Sequence, residues 1–187
     1  MPENNPNKTE TLSGYHDSFG EEIDRVVVVR ASEYPSGYRS DNHWHSRAQL
    51  VYACAEVVKV TAKQGAWVVP QHRGVWIPAR IEHQIESAGA FSMSSLYVQE
   101  DSRIELPAEC GVVAISPLLR ELILAAAEAA LLYEVTGRDG RLMDLILSEI
   151  RSLPLMHLHL PEPTDSRLKI ITAALREDPA DPRTLED

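Results

Sequence analysis

Cysteine is scarce in this chain: the 187 residues include two, Cys54 and Cys110, which leaves no disulfide framework to build on. Long apolar runs are missing too. None approaches the roughly 20 residues that cross a bilayer, and the polar stretch Met1 to Thr11 lacks the basic start and apolar core of a signal peptide. A cytoplasmic location with no membrane partner is the resulting expectation. Basic residues are outnumbered 18 to 28, giving a formal charge of -10. Nucleic-acid affinity rests largely on Lys and Arg neutralising phosphates, so this balance makes the chain a poor DNA binder by itself. Low-complexity tracts and internal repeats are also lacking, which removes linker-like and solenoid architectures. What is present, 44% apolar and 25% charged residues, suits a soluble domain of ordinary size with a real core.

Taken in order, residues 1–20 are polar and read as a flexible N-terminus. Arg25 to Arg30 is a β-branched run of the kind buried on both faces, and Pro35-Ser36-Gly37 is a turn. Ala48 to Thr61 reads as one long strand, or a hairpin bent near Ala55-Glu56, with apolar residues at both parities and so with both faces covered. Strands over Ala66–Val69, Val75–Pro78, Gln84–Ser87, Phe91–Val98 and Val112–Ile115, separated by Gly and Pro turns, complete an all-β sandwich or small barrel across 21–115. At Ser116-Pro117 the pattern becomes helical, with Ser as N-cap and Pro at the first position. One helix is expected to about Tyr133, then, past a break at Gly137–Gly140, a second over Arg141–Leu153 with Leu142, Leu145, Ile146 and Ile150 on one stripe. An antiparallel pair over 116–154 follows from the short connection. Residues 155–187 read as a Pro-rich linker, a third helix from Thr164 or Asp165 to about Glu177, a break at Asp178–Pro182, and the first turn of a helix at Thr184–Asp187 that has no body, as though the chain were cut in mid-protein.

The chemistry gathers between Gly37 and His83. His43 and His45, at i and i+2 on a strand, share a face, and His83 can join them only if the intervening chain folds back as a second wall. Three imidazoles, with Gln49 as a possible carbonyl donor, form a candidate site for a first-row divalent metal. Replacing a carboxylate by the Gln49 amide removes the anionic ligand and should weaken such a site. The bland alternative is a pair of hydrogen-bonded histidines. Val51, Trp67 and Trp76 are candidate effector-pocket residues, with barrel packing as the alternative for both tryptophans. Cys54 and Cys110 read as core residues, His157 and His159 as surface residues, and Arg47 and Arg80 as solvated charges that would favour an anionic effector if turned inward.

Gly37-x5-His43-x-His45-x3-Gln49 resembles the first motif of the cupins, and Gly65 to Pro70 with Pro78-x4-His83 resembles the second. The departures are Gln49 for Glu, Glu56 for Gly and Arg80 for Gly, the last asking Arg80 to make a glycine's turn. Gln49-Leu50-Val51-Tyr52, Trp67-Val68-Val69-Pro70, Val75-Trp76-Ile77-Pro78, Leu106 to Cys110, Ser116 to Leu122 and Gly137 to Leu142 are similar, in their order, to the sensor half of AraC-type transcription regulators. The resemblance implies a mainly β fold with C-terminal α: a cupin (double-stranded β-helix, jelly-roll) barrel followed by the helical pair. It implies a small-molecule effector in the barrel, possible use of Zn, Ni, Fe or Mn, a homodimer through 117–153, and operator DNA reached only through a helix-turn-helix half beyond this chain. The rival class is a cupin metalloenzyme, a dioxygenase or isomerase. It lacks an evident acid or base, since Glu82 has the opposite parity to His83 and Glu56 has no evident partner.

Overall fold

The computed structural model describes residues 14–53, 57–70, 72–100 and 105–156, together with Arg167 and Ile171. In chain order the elements are β1 (Tyr15–His16), β2 (Val27–Tyr34), β3 (His43–Trp44), β4 (Ala48–Ala53), β5 (Val58–Ala62), β6 (Gly65–Val69), β7 (Arg73–Ile77), β8 (His83–Ser87), β9 (Phe91–Val98), β10 (Gly111–Ala114), α1 (Pro117–Ala127), α2 (Arg138–Arg151) and β11 (Leu155–Met156). They form two sheets, one ordered β1-β3-β8-β5-β6 and the other β11-β10-β7-β4-β9-β2.

The burial pattern explains the layering. β4 is buried along its whole length, as its apolar residues at both parities require. Val51 and Ala53 join Val58, Val60, Trp67 and Ile85 in the core between the sheets. Leu50 and Tyr52 point the other way, into a second core with Trp76, Leu96, Leu119, Ile123, Ile146 and Ile150. The six-stranded sheet is thus sandwiched between barrel interior and helices, and much of the apolar surface of α1 and α2 is core against the barrel.

The stretch from Ala48 to Thr61 is neither one strand nor a hairpin. β4 pairs with β7 and β9, whereas β5 pairs with β6 and β8, so the chain crosses between sheets here. The expected bend and Cys54 lie outside the described residues, as do His157, His159 and most of the third helix, of which Arg167 and Ile171 are helical.

Ser116 caps α1 as its sequence suggests, its Oγ accepting from the Leu119 N–H at 3.0 Å. The helix ends at Ala127 rather than Tyr133, because Tyr133 leaves it to donate from its hydroxyl to the Val27 carbonyl at 3.1 Å. α2 begins at Arg138, so Gly140 lies within it and not in a break. A β-carbon there would stand 1.8 Å from the Val135 carbonyl oxygen. The α2 residues turned inward are Met143, Ile146, Leu147 and Ile150, whereas Leu145 is exposed. Leu155–Met156, expected as free connector, adds an antiparallel edge strand to β10. Among the described residues no helix is long and apolar enough to cross a membrane.

Candidate metal centre

β3 is short, and its pairing decides where its histidine goes. His43 lies opposite His83 of β8 in the five-stranded sheet. Trp44 takes the alternate parity, leaving His43 and His45 on the inner side with ring centroids 5.0 Å apart, and His83 stands 4.3 Å from His43 and 5.3 Å from His45. The turn that carries the chain back to His83 is held by the Arg80 N–H donating to the His45 carbonyl at 2.8 Å. Arg80 sits at φ 61°, the left-handed conformation that the missing glycine would adopt more cheaply.

The rings are fixed from behind. Nδ1 of His43 lies 2.9 Å from the Asp41 carbonyl, Nδ1 of His45 3.0 Å from the Asp17 carbonyl, and Nδ1 of His83 2.9 Å from the Ile81 carbonyl. A carbonyl can only accept, so each Nδ1 carries a proton, and in the neutral ring this leaves Nε2 with its lone pair. The three residues are 6%, 3% and 0% exposed. Burial holds His83 down to about 3 and lowers His45 as well, with the neighbouring imidazoles acting in the same direction. Neutral imidazole is the form that binds a metal.

Gln49, from β4 in the opposite sheet, donates through Nε2 to Ser95 Oγ at 3.0 Å and Tyr97 Oη at 3.4 Å. The Tyr97 ring meets His45 edge-on at 4.9 Å, linking this group to the histidines. Nε2 of His45, Nε2 of His83 and Oε1 of Gln49 are buried without a hydrogen-bond partner. Such atoms each cost about 1–3 kcal/mol unless something binds them. The three imidazoles offer nitrogens all within 4.8 Å of one another, the spacing of a site for one ion. The three histidines therefore fit a divalent transition metal through their nitrogens.

The other expected site residues separate. Val51 and Trp67 belong to the barrel interior. Trp67 also borders a cavity of about 270 Å³ shared with Gln64, Pro78, Ile81, Ala108, Glu109 and Cys110. Burial pushes the Cys110 thiol up to about 12, so it is an inert wall. Trp76 faces the helices and donates from Nε1 to the Pro107 carbonyl at 2.8 Å, which keeps it out of the barrel interior. Arg47, expected in solvent, is 4% exposed and donates to the carbonyls of Ile23 and Arg25 at 2.8 Å, pinning the segment before β2.

Sequence reasoning missed the N-terminal arm. Gly14 to Phe19, within the stretch expected to be flexible, runs beside the histidines. Tyr15 stacks on His43, His16 stacks on Trp44 with centroids 4.1 Å apart, Phe19 packs on Tyr97, and Asp17 supplies the carbonyl that orients His45. The available signal was the alternation of Tyr15, Asp17 and Phe19 behind a glycine. A β-carbon on Gly14 would lie 2.6 Å from the Asn42 carbonyl oxygen, so the strand contact needs that glycine.

Two sheets closing on an interior histidine cluster, backed on one side by a helix pair, define a barrel of the cupin type. The chain belongs to the AraC-like ligand-binding domain family, whose family model matches residues 25–161. It is 28% identical over 170 residues to the HTH-type transcriptional regulator NimR of Escherichia coli K12, a match covering 91% of this chain and 61% of that protein. The chain thus spans about three fifths of its curated relative. The apo structure of the ToxT K231A variant from Vibrio cholerae aligns over 89% of this chain and 70% of its own, with TM-score 0.51 and 9% identity, a likeness of fold alone. A cupin 2 conserved barrel protein of Salinispora arenicola CNS-205 aligns over 42% of this chain and 68% of its own, with TM-score 0.37 and 14% identity.

Proposed function

We propose that this chain is the ligand-sensing and dimerising part of an AraC-type DNA-binding regulator, acting in the cytoplasm. The observation that carries the reading is the ligand-binding family match, which takes in the barrel and both helices as one unit. A small-molecule effector binds within the barrel, with Val51 and Trp67 on its wall. A divalent metal held by His43, His45, His83 and Gln49 supplies an open coordination position for it. Effector binding shifts the helix pair between two arrangements, and that shift is passed to a DNA-binding half. Exposed Leu118, Leu132, Val135 and Leu145 on and between α1 and α2 support a homodimer through 117–153. Glu82, the carboxylate adjoining the ligands in sequence, is bound to the Gly14 N–H and the Asn42 side chain at 2.9 and 3.1 Å, which supports a binding role over a catalytic one.

Reading the source gene past Asp187 tests the regulator assignment. The expected continuation is roughly 80–110 basic residues with two helix-turn-helix patterns. A stop codon there would overturn it in favour of a free-standing binding protein or enzyme.

A further inference from the structure

The charge inside the barrel leads to a statement about the effector. The donor set is His43, His45, His83 and Gln49, and all four are neutral. Gln49 is held in one orientation, its amide hydrogens taken by Ser95 and Tyr97, so the group left for a ligand is the carbonyl Oε1. Among the described residues the buried polar and charged side chains are His43, His45, Arg47, Gln49, His83, Ser87, Ser94 and Ser95, with no carboxylate among them. Asp17 Oδ2 lies 3.9 Å from Nδ1 of His45, behind the ring and partly in solvent. It is screened and on the wrong side to act as a ligand. A divalent cation bound by this set would keep its full double charge in an enclosure with no buried carboxylate among the described residues. Buried charge of that kind is strongly unfavourable unless an opposite charge arrives with it.

We propose that this barrel takes its divalent metal together with a small carboxylate, the carboxylate serving as the anionic ligand that Gln49 does not provide and defining the effector class. The argument rests on the metal reading given above. Size and donor type narrow the anion. The imidazoles are almost wholly enclosed, which admits few atoms, and a carboxylate oxygen is a hard donor suited to a first-row divalent ion. Coupling is reciprocal, so the carboxylate tightens the metal and the metal tightens the carboxylate by the same factor.

The test is a cobalt(II) titration of the 187-residue chain at one fixed near-neutral pH, followed by visible absorption. It is run in perchlorate alone and with formate or acetate replacing part of the perchlorate at constant ionic strength. The expected result is a dissociation constant about tenfold lower, or more, with the carboxylate, and a shifted cobalt spectrum. Gln49→Glu, titrated in parallel, is expected to bind cobalt tightly in perchlorate alone and to lose the response. The wild-type comparison stands without the variant if that variant fails to fold. Equal wild-type affinity with and without carboxylate, as expected if bound hydroxide neutralises the ion instead, overturns the proposal and leaves the metal site standing. Failure of both proteins to take up cobalt under every condition overturns the metal reading beneath it.

Discussion

Arg80 and His83 show how single side chains are constrained by this site. A non-glycine residue in the left-handed region gives up about 1–2 kcal/mol, while the exposed Arg80–Glu100 ion pair at 3.0 Å returns little. Arg80→Gly is expected to hold or slightly raise stability, and Arg80→Val, being β-branched, to lower it by more than about 1 kcal/mol. Urea denaturation checks this ordering, and equal midpoints for Arg and Val would contradict it. His83 is held near 3 in the folded protein, below its unfolded value of 6.5. Between those values the unfolded chain binds the proton and the folded one does not. Stability is therefore complete above 6.5 and falls as pH drops through that window, on the order of 1 kcal/mol per pH unit. Denaturation of metal-free protein across the window is expected to show this slope, and His83→Asn to reduce it, with His45 leaving a remainder of the same sign. The meeting of His43, His45 and His83 was legible because strand parity and spacing depend on local sequence. Trp76 was not, because either face of β7 is apolar and only the helices decide which one it joins.

At the scale of elements, the helix pair shows that packing outweighs propensity. Gly140→Ala would gain about 1 kcal/mol in an isolated helix. Here the new methyl would sit 1.8 Å from the Val135 carbonyl oxygen, an overlap that forces the 134–140 turn to shift. We expect a net loss of at least about 2 kcal/mol in chemical denaturation, and a gain would contradict the packing described. The arm is the second case. Gly14→Val would push Asn42 away and detach Tyr15 and Asp17 from the histidines. The expected consequence is roughly tenfold weaker metal binding in an otherwise folded barrel, since outer-shell partners that orient a histidine typically matter to that extent. Unchanged affinity would show that the arm does not support the site. Both features escaped sequence reading for one reason: a glycine marks a turn or break from local evidence alone, and what it approaches becomes visible only when distant chain arrives. The short edge strands β1 and β11 escaped it similarly, since two residues carry no periodicity. By contrast β9 and the N-cap of α1 were read correctly from alternation and from Ser116-Pro117, both of which are local signals.

For the whole molecule, the layer order explains why a barrel signal could reach a dimer. The six-stranded sheet has Gln49 and Val51 on its inner face and Leu50 and Tyr52 on its outer face, against α1 and α2. Under the proposed function, a shift of β4 on effector binding would be felt directly under the helices. Leu132 is 69% exposed between them, and Leu132→Asp is expected to give a monomer with an unchanged circular dichroism spectrum. A wild-type sedimentation mass that is monomeric at every concentration would remove the dimer from the account. Metal content after loading and desalting shows whether the buried histidines bind an ion. One divalent ion per wild-type chain is expected, and none in a folded His43→Ala/His45→Ala/His83→Ala variant. Equal metal in the two proteins would place the site elsewhere and contradict binding by the histidines.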